Sequence, residues 1–152
     1  MIEARPSRIH GQGLFALQTF RPGERVVEYR GERLDLQEGA LRLALGNDAL
    51  CQIGAGAVLD GGGVGNLARW ANHACLPNAE MVESDGHLWL VARALLRAGT
   101  EITFDYGYDL TDWRSFPCRC GADSCAGFIV AEPFRANLRR LCLAAGIFPG
   151  PG

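Results

Sequence analysis

The chain has 152 residues, 48% of them hydrophobic and 21% charged, with a formal net charge of −2. The length suits one domain with a real core, the balance leaves no case for disorder, and the charge gives no basic footprint for direct nucleic-acid binding. No stretch approaches the ~20 apolar residues of a membrane span, and Met1-Ile2-Glu3-Ala4-Arg5-Pro6 has no apolar run behind it to make a secretory signal, so the chain reads as soluble and intracellular.

In chain order, glycines punctuate short strand-like runs. Residues 9–17 turn on Gly11 and Gly13, and 25–29 (Arg-Val-Val-Glu-Tyr) reads as a strand. Residues 34–45 place Leu34, Leu41 and Leu45 near helical spacing, and Gly46-Asn47 stops that helix. Cys51 falls in a further strand, and Val58-Leu59-Asp60 is a short one before Gly61-Gly62-Gly63. A hairpin is expected over 80–91 around Ser84-Asp85-Gly86, and Ala98-Gly99 turns into a strand over 100–106. Residues 133–145 read as a helix with Pro133 near its start, a stripe of Phe134, Leu138, Leu141, Cys142 and Ala145, and Gly146 as its stop. Cys51 and Cys142 are assigned to the core. The result is a mainly β domain of small sheets with two helices, without repeats or linkers.

Three of the remaining cysteines stand as Cys118-x-Cys120-x4-Cys125, and a fourth, Cys75, lies far upstream in Asn72-His73-Ala74-Cys75-Leu76-Pro77-Asn78. Tetrahedral zinc takes four soft ligands, and the close spacing, Gly121 and the absence of a secretory signal favour metal over disulfides. Cys75 is the best candidate for the distant fourth ligand, which would tie the C-terminal segment to the core; three free thiols in a loop are the alternative. Four thiolates close the shell, so such a zinc is structural and not catalytic. The glycine run 61–65 lacks a following Lys-Ser or Lys-Thr, which excludes a phosphate-binding P-loop, and Gly11-x-Gly13 opens no βαβ unit.

Four motifs in order carry a family resemblance: Gly11-Gln12-Gly13-Leu14-Phe15-Ala16; Gly65-Asn66-Leu67-Ala68-Arg69-Trp70-Ala71-Asn72-His73 through Asn78; Glu101-Ile102-Thr103-Phe104-Asp105-Tyr106-Gly107-Tyr108; and Cys118-Arg119-Cys120-Gly121 through Cys125-Ala126-Gly127-Phe128-Ile129. Over residues 8–130 the chain resembles the SET-domain protein-lysine methyltransferases with a post-SET zinc segment. The resemblance implies a SET domain over 1–116, a post-SET zinc segment over 117–130, and a C-terminal helix and tail over 131–152. It implies that segments 69–78 and 101–106 interlace in a pseudoknot against the methyl donor S-adenosylmethionine.

By the same resemblance, Tyr106 is the catalytic tyrosine, with Tyr29, Phe104 and Tyr108 as walls of a channel for a lysine side chain. Gly11 and Gly13 would let the backbone approach the donor, with Leu14 beside them. Asn72, His73 and Tyr106 would contact the donor, Arg69 would either face it or knit the pseudoknot, and Phe128 would cover its adenine or simply pack in the core. Cys75, Cys118, Cys120 and Cys125 would hold one structural zinc. Phe104, two residues before the tyrosine, implies room for di- or trimethylation.

Ala74 and Trp70 stand where serine and phenylalanine are usual in that family. No cysteine-rich segment precedes the domain here, and the insert over 31–60 is short, which leaves the substrate loosely gripped or held by the C-terminal helix. Asp105, Asp109 and Asp112 would favour a basic peptide, or are an ordinary solvated loop. All fifteen Lys/Arg positions are arginine, so the protein cannot modify its own lysine side chains. The expected partner is a protein presenting a lysine, such as a histone or a basic bacterial protein; the expected location is the bacterial cytoplasm, with a secreted effector acting in a host nucleus as the other option. A non-catalytic binding module of the same fold is the competing class.

Overall fold

The structure is a computed structural model that describes residues 1–147; the end of the expected C-terminal tail, 148–152, lies outside the described residues. Among the described residues, ten strands and two α-helices follow one another as β1 (Ile2–Pro6), β2 (Gln12–Ala16), β3 (Arg25–Tyr29), β4 (Glu32–Asp35), α1 (Leu36–Ala44), β5 (Leu50–Ile53), β6 (Ala57–Asp60), β7 (Asn72–His73), β8 (Ala79–Ser84), β9 (His87–Ala92), β10 (Glu101–Phe104) and α2 (Arg135–Ala144). They form three small sheets, ordered β1-β2-β10-β7, β3-β9-β8 and β4-β6-β5. This is the mainly β arrangement expected. None of the helices of the described residues is long and apolar enough to cross a membrane.

The β8–β9 hairpin pairs Ser84 with His87 across Asp85 and Gly86, both at positive φ (55° and 76°), the two-residue turn whose twist matches its strands. β1 is a strand that the sequence reading passed over: its apolar and charged residues mix, and Pro6 ends it at the sheet margin.

The first helix differs from expectation. Leu34 is buried in β4 opposite Val58, and α1 begins only at Leu36, capped by Asp35, whose carboxylate accepts from the Glu38 N–H at 2.8 Å. Leu41 and Leu45 are exposed, so the expected stripe is no core face. Instead Gly39 is the buried contact: a Cβ there would lie 2.9 Å from Val58 Cγ2, so only glycine lets the helix settle on β6. Beside it Arg42 ion-pairs with Glu32, Glu38 and Asp60. Arg42, then Asn47 and the Gly62 N–H, hold the Asp60 carboxyl down at about 2.

In α2 the stripe holds in part. Leu138 and Cys142 are buried, whereas Phe134 and Leu141 are about two-fifths exposed. Pro133 belongs to a 3-10 turn (Glu132–Phe134) that leads into the helix. Leu138 and Cys142 join Cys75, Trp113, Cys118, Ala126 and Val130 in a second, smaller core beside the main one, which the three sheets enclose around Leu14, Leu90, Leu96 and Ile102.

Candidate active site and thiol cluster

The site is built where β7 and β10 run side by side in parallel, with Asn72 opposite Thr103 and His73 opposite Phe104. Residues on each side stitch the pair, in keeping with the expected interlacing. Asn78 Nδ2 donates to the Glu101 carbonyl at 2.8 Å, and Asn78 Oδ1 accepts from the Thr103 N–H at 2.9 Å. Asn72 is buried and its Nδ2 donates to the carbonyls of His10 and Gln12 and to Glu101 Oε1, which pins the Gly11 turn to the strand pair.

His73 is 2% exposed, and its Nδ1 accepts the Tyr106 backbone N–H at 3.2 Å. That bond fixes the proton on Nε2, which lies 3.7 Å from Cys75 Sγ. One imidazole thus joins the tyrosine's backbone to a cluster thiol.

A cleft of about 240 Å³ opens against this strand pair. Its lining includes Gly11, Arg69 and Asn72 together with the aromatic rings of Tyr29, Phe104, Tyr106 and Tyr108. Phe104 and Tyr106 have ring centroids 4.9 Å apart, Tyr106 and Tyr108 5.7 Å, and Tyr108 continues edge-on to Phe116 at 5.0 Å, so an aromatic wall leads from the cleft outward. The Tyr29 hydroxyl donates to the Ala49 carbonyl (2.9 Å) and the Tyr106 hydroxyl to the Ala71 carbonyl (3.2 Å). Burial pushes all three phenols, Tyr29, Tyr106 and Tyr108, above their ordinary pKa, so they stay neutral near pH 7.

The remaining residues implicated by the sequence are placed differently. Gly11, at φ +44°, has open space where a Cβ would stand, on the cleft side. Gly13 is not on the cleft wall: a Cβ there would collide with the Glu101 carboxylate and Ser7, so its smallness serves strand packing. The Leu14 side chain is wholly buried in the main core. Phe128 packs edge-on against Trp113, 4.6 Å between centroids, in the second core and away from the cleft wall. Arg69 lines the cleft and donates to the Gly62 carbonyl, outside the two interlaced segments. Asp105 is no free acid for a basic peptide, because Arg135 takes its carboxylate at 2.6 Å.

Among the cleft residues with ionisable side chains, the sequence points to neither His10 nor Asp48, and Cys51 stands on the wall instead of in the core. Asp48 follows the helix stop at Gly46-Asn47 and looks like any polar loop residue, so no sequence signal marked it. Cys51 carries a thiol that burial pushes up to about 11, which keeps it protonated.

The four clustered cysteines come together. Their sulfurs lie within 4.8 Å of one another, with Cys75 3.9 Å from both Cys118 and Cys125. Four ligands at a Zn–S distance of about 2.3 Å stand about 3.8 Å apart, whereas a disulfide needs about 2.05 Å. The set therefore fits a tetrahedral thiophilic dication. Backbone N–H groups of Cys75 and Gly127 point at the sulfurs of Cys120 and Cys125, each at 3.4 Å. The hydrogen bond from Cys118, and then His73, holds Cys75 down, while the hydrogen bond to Cys75 and burial drive Cys118 up and burial lifts Cys125 to about 11.

Comparison with known proteins agrees with this architecture. The model of the SET domain matches residues 11–107. The chain is 33% identical over 139 residues to histone-lysine N-methyltransferase set-2 of Caenorhabditis elegans, covering 85% of this chain and 9% of that protein. It is 34% identical over 133 residues to the human histone-lysine N-methyltransferase, H3 lysine-36 specific (81% and 5%), and 33% identical over 134 residues to the H3 lysine-4 specific enzyme of Schizosaccharomyces pombe (82% and 14%). The chain thus spans a small part of the length of these relatives. A matched model across most of the chain, and the paired strands, cleft tyrosine and thiol set just described, place the chain in the SET-domain family.

Proposed function

We propose that this chain is an S-adenosylmethionine-dependent protein-lysine N-methyltransferase with one structural zinc on Cys75, Cys118, Cys120 and Cys125. The observation that carries the reading is one cleft that brings Gly11, Arg69 and Asn72, to which we assign the donor, together with the aromatic rings of Tyr29, Phe104, Tyr106 and Tyr108, to which we assign the lysine. Bound there, S-adenosylmethionine supplies an electrophilic methyl group.

The chain's own residues prepare the amine. A free lysine has a pKa of about 10.4 and must lose its proton to attack. Apolar ring surface against the amine disfavours the charged form, and the neutral phenols add no counter-charge to retain it. With its O–H committed to the Ala71 carbonyl, Tyr106 offers oxygen lone pairs to an amine N–H and so aims the nitrogen. The substrate class is a lysine-bearing protein; the names of the relatives make histone H3 the first probe, and a basic bacterial protein the other expected class.

The test uses labelled donor, the purified chain and a histone H3 tail peptide, with calorimetry for donor binding. Tyr106→Phe should lower turnover by roughly 10²–10³-fold with donor affinity kept, the size of loss typical of one preorganised polar group. Absence of donor binding by the parent, or parental turnover by the variant, would overturn the reading.

A further inference from the structure

Residues after 107 lie beyond the matched SET-domain model, yet Arg135, far along the chain, reaches back to the segments that follow β7 and β10. Arg135, the first residue of α2, has a side chain only 11% exposed and spends its guanidinium on three acceptors. Nε donates to the Val130 carbonyl at 3.0 Å, Nη1 to the Cys75 carbonyl at 2.6 Å, and Nη2 to Asp105 Oδ2 at 2.6 Å. Asp105 also accepts the Glu132 N–H on Oδ2 (3.0 Å) and the Gly107 N–H on Oδ1 (3.1 Å). The Tyr108 carbonyl accepts the Ala131 N–H at 2.8 Å.

Tyr106 stands in the middle of this set. Its own N–H is held by His73, the next N–H by Asp105, and the carbonyl two residues on by the segment leading into α2. We propose that Arg135 is a positioning residue for the Tyr106 hydroxyl: from the C-terminal helix it locks Asp105 and the Cys75 carbonyl together and so fixes the backbone that aims the phenol. The kinetic consequence rests on the methyl-transfer reading; the backbone consequence does not.

Arginine suits the task because its planar fork meets acceptors in three directions, whereas a lysine ammonium of similar reach is a point charge that cannot hold all three in fixed geometry. Removal of the guanidinium strips the partly buried Asp105 carboxylate of its counter-ion and the Cys75 carbonyl of its donor. A misplacement of about 1 Å in a positioning element is enough to cost about 10²-fold in rate.

The experiment compares Arg135→Ala and Arg135→Lys with the parent by three readouts: kcat and KM for a histone H3 tail peptide, zinc per chain, and amide hydrogen exchange of residues 105–108. Positioning predicts a kcat reduced at least tenfold in Arg135→Ala, with KM and zinc content within twofold of the parent, faster exchange at 105–108, and intermediate values for Arg135→Lys. A merely structural role predicts a lower melting temperature with parental kcat in the folded fraction, and that result, or unchanged exchange at 105–108, overturns the proposal. Should Arg135→Ala fail to fold, Arg135→Lys decides alone, with parental kcat and exchange counting against. If the parent transfers no methyl group, the functional reading fails, and the exchange comparison still decides whether Arg135 holds the Tyr106 backbone.

Discussion

The two cores of this molecule are closed by different means. The main one gathers sixteen buried residues, mostly aliphatic, from all three sheets, whereas the smaller one has seven, of which Cys75, Cys118 and Cys142 are three. At roughly 25 cal/mol per Å² of apolar surface buried, the first cluster has area enough to sustain itself; the second has one tryptophan, one leucine and one valine at its heart. A small core of this kind needs a cross-link. Its four gathered thiols provide the place for one, and Cys75 sits two residues from His73, so the weaker region is tied directly to the cleft.

That contrast breaks most severely at the metal. Chelation, or Cys75→Ser, should remove zinc and loosen residues 113–142 while β3, β8 and β9 stay protected, because binding energy at a structural zinc is folding energy. A fall in melting temperature of about 10 °C is expected, from several kcal/mol at 2–4 °C each. Metal analysis and hydrogen exchange check it; uniform loss of protection across both cores would show that they are one cooperative unit.

The helices repeat the contrast on a smaller scale. α2 inserts Leu138, fully buried, so Leu138→Ala should cost about 2–5 kcal/mol through lost burial and a cavity. α1 shows its leucines to solvent and rests on Gly39, so Leu41→Ala should stay within about 0.5 kcal/mol. Denaturant midpoints for the two variants measure the difference directly.

Acid should loosen the α1 region through the carboxylates that Arg42 gathers, Asp60 above all. Asp60 has a folded pKa depressed to about 2, against about 3.9 when unfolded, so its pairing stabilises the fold above pH 4 and is lost as the pH falls toward 2. Arg42→Ala removes the chief cause of that depression. Its stability should therefore change less than the parent's between pH 4 and 2 in urea titrations at each pH.

How far the sequence reveals all this depends on whether the cause is local. The Asp85-Gly86 turn, the strand at 25–29 and the four cysteines follow from short-range rules or from chemistry that only one residue type performs, and each is found where expected. The failures are matters of tertiary packing. Leu34, Leu41 and Leu45 have helical spacing, yet a glycine pressed on Val58 decides which side of α1 faces inward, and spacing does not report that. Likewise Asp48 enters the cleft wall only because β5 carries its loop there.

The smallest expected effect is on product, at Phe104. Its ring is 8% exposed on the cleft wall, 4.9 Å from that of Tyr106, and carries no polar atom. A phenol in its place would present a hydroxyl able to hold a water against the incoming amine, and an ordered water with polar partners is costly to displace. The apolar ring leaves that space to a methylated amine, which can turn its lone pair toward the donor again. The parent should therefore carry a lysine to the di- or trimethyl state. Phe104→Tyr should leave the first transfer within a few-fold and let the monomethyl product accumulate, as read from mass spectra of an H3 tail peptide over time. A parent enzyme that stops at one methyl group would show that Tyr29 and Tyr108, not residue 104, set the width of the channel.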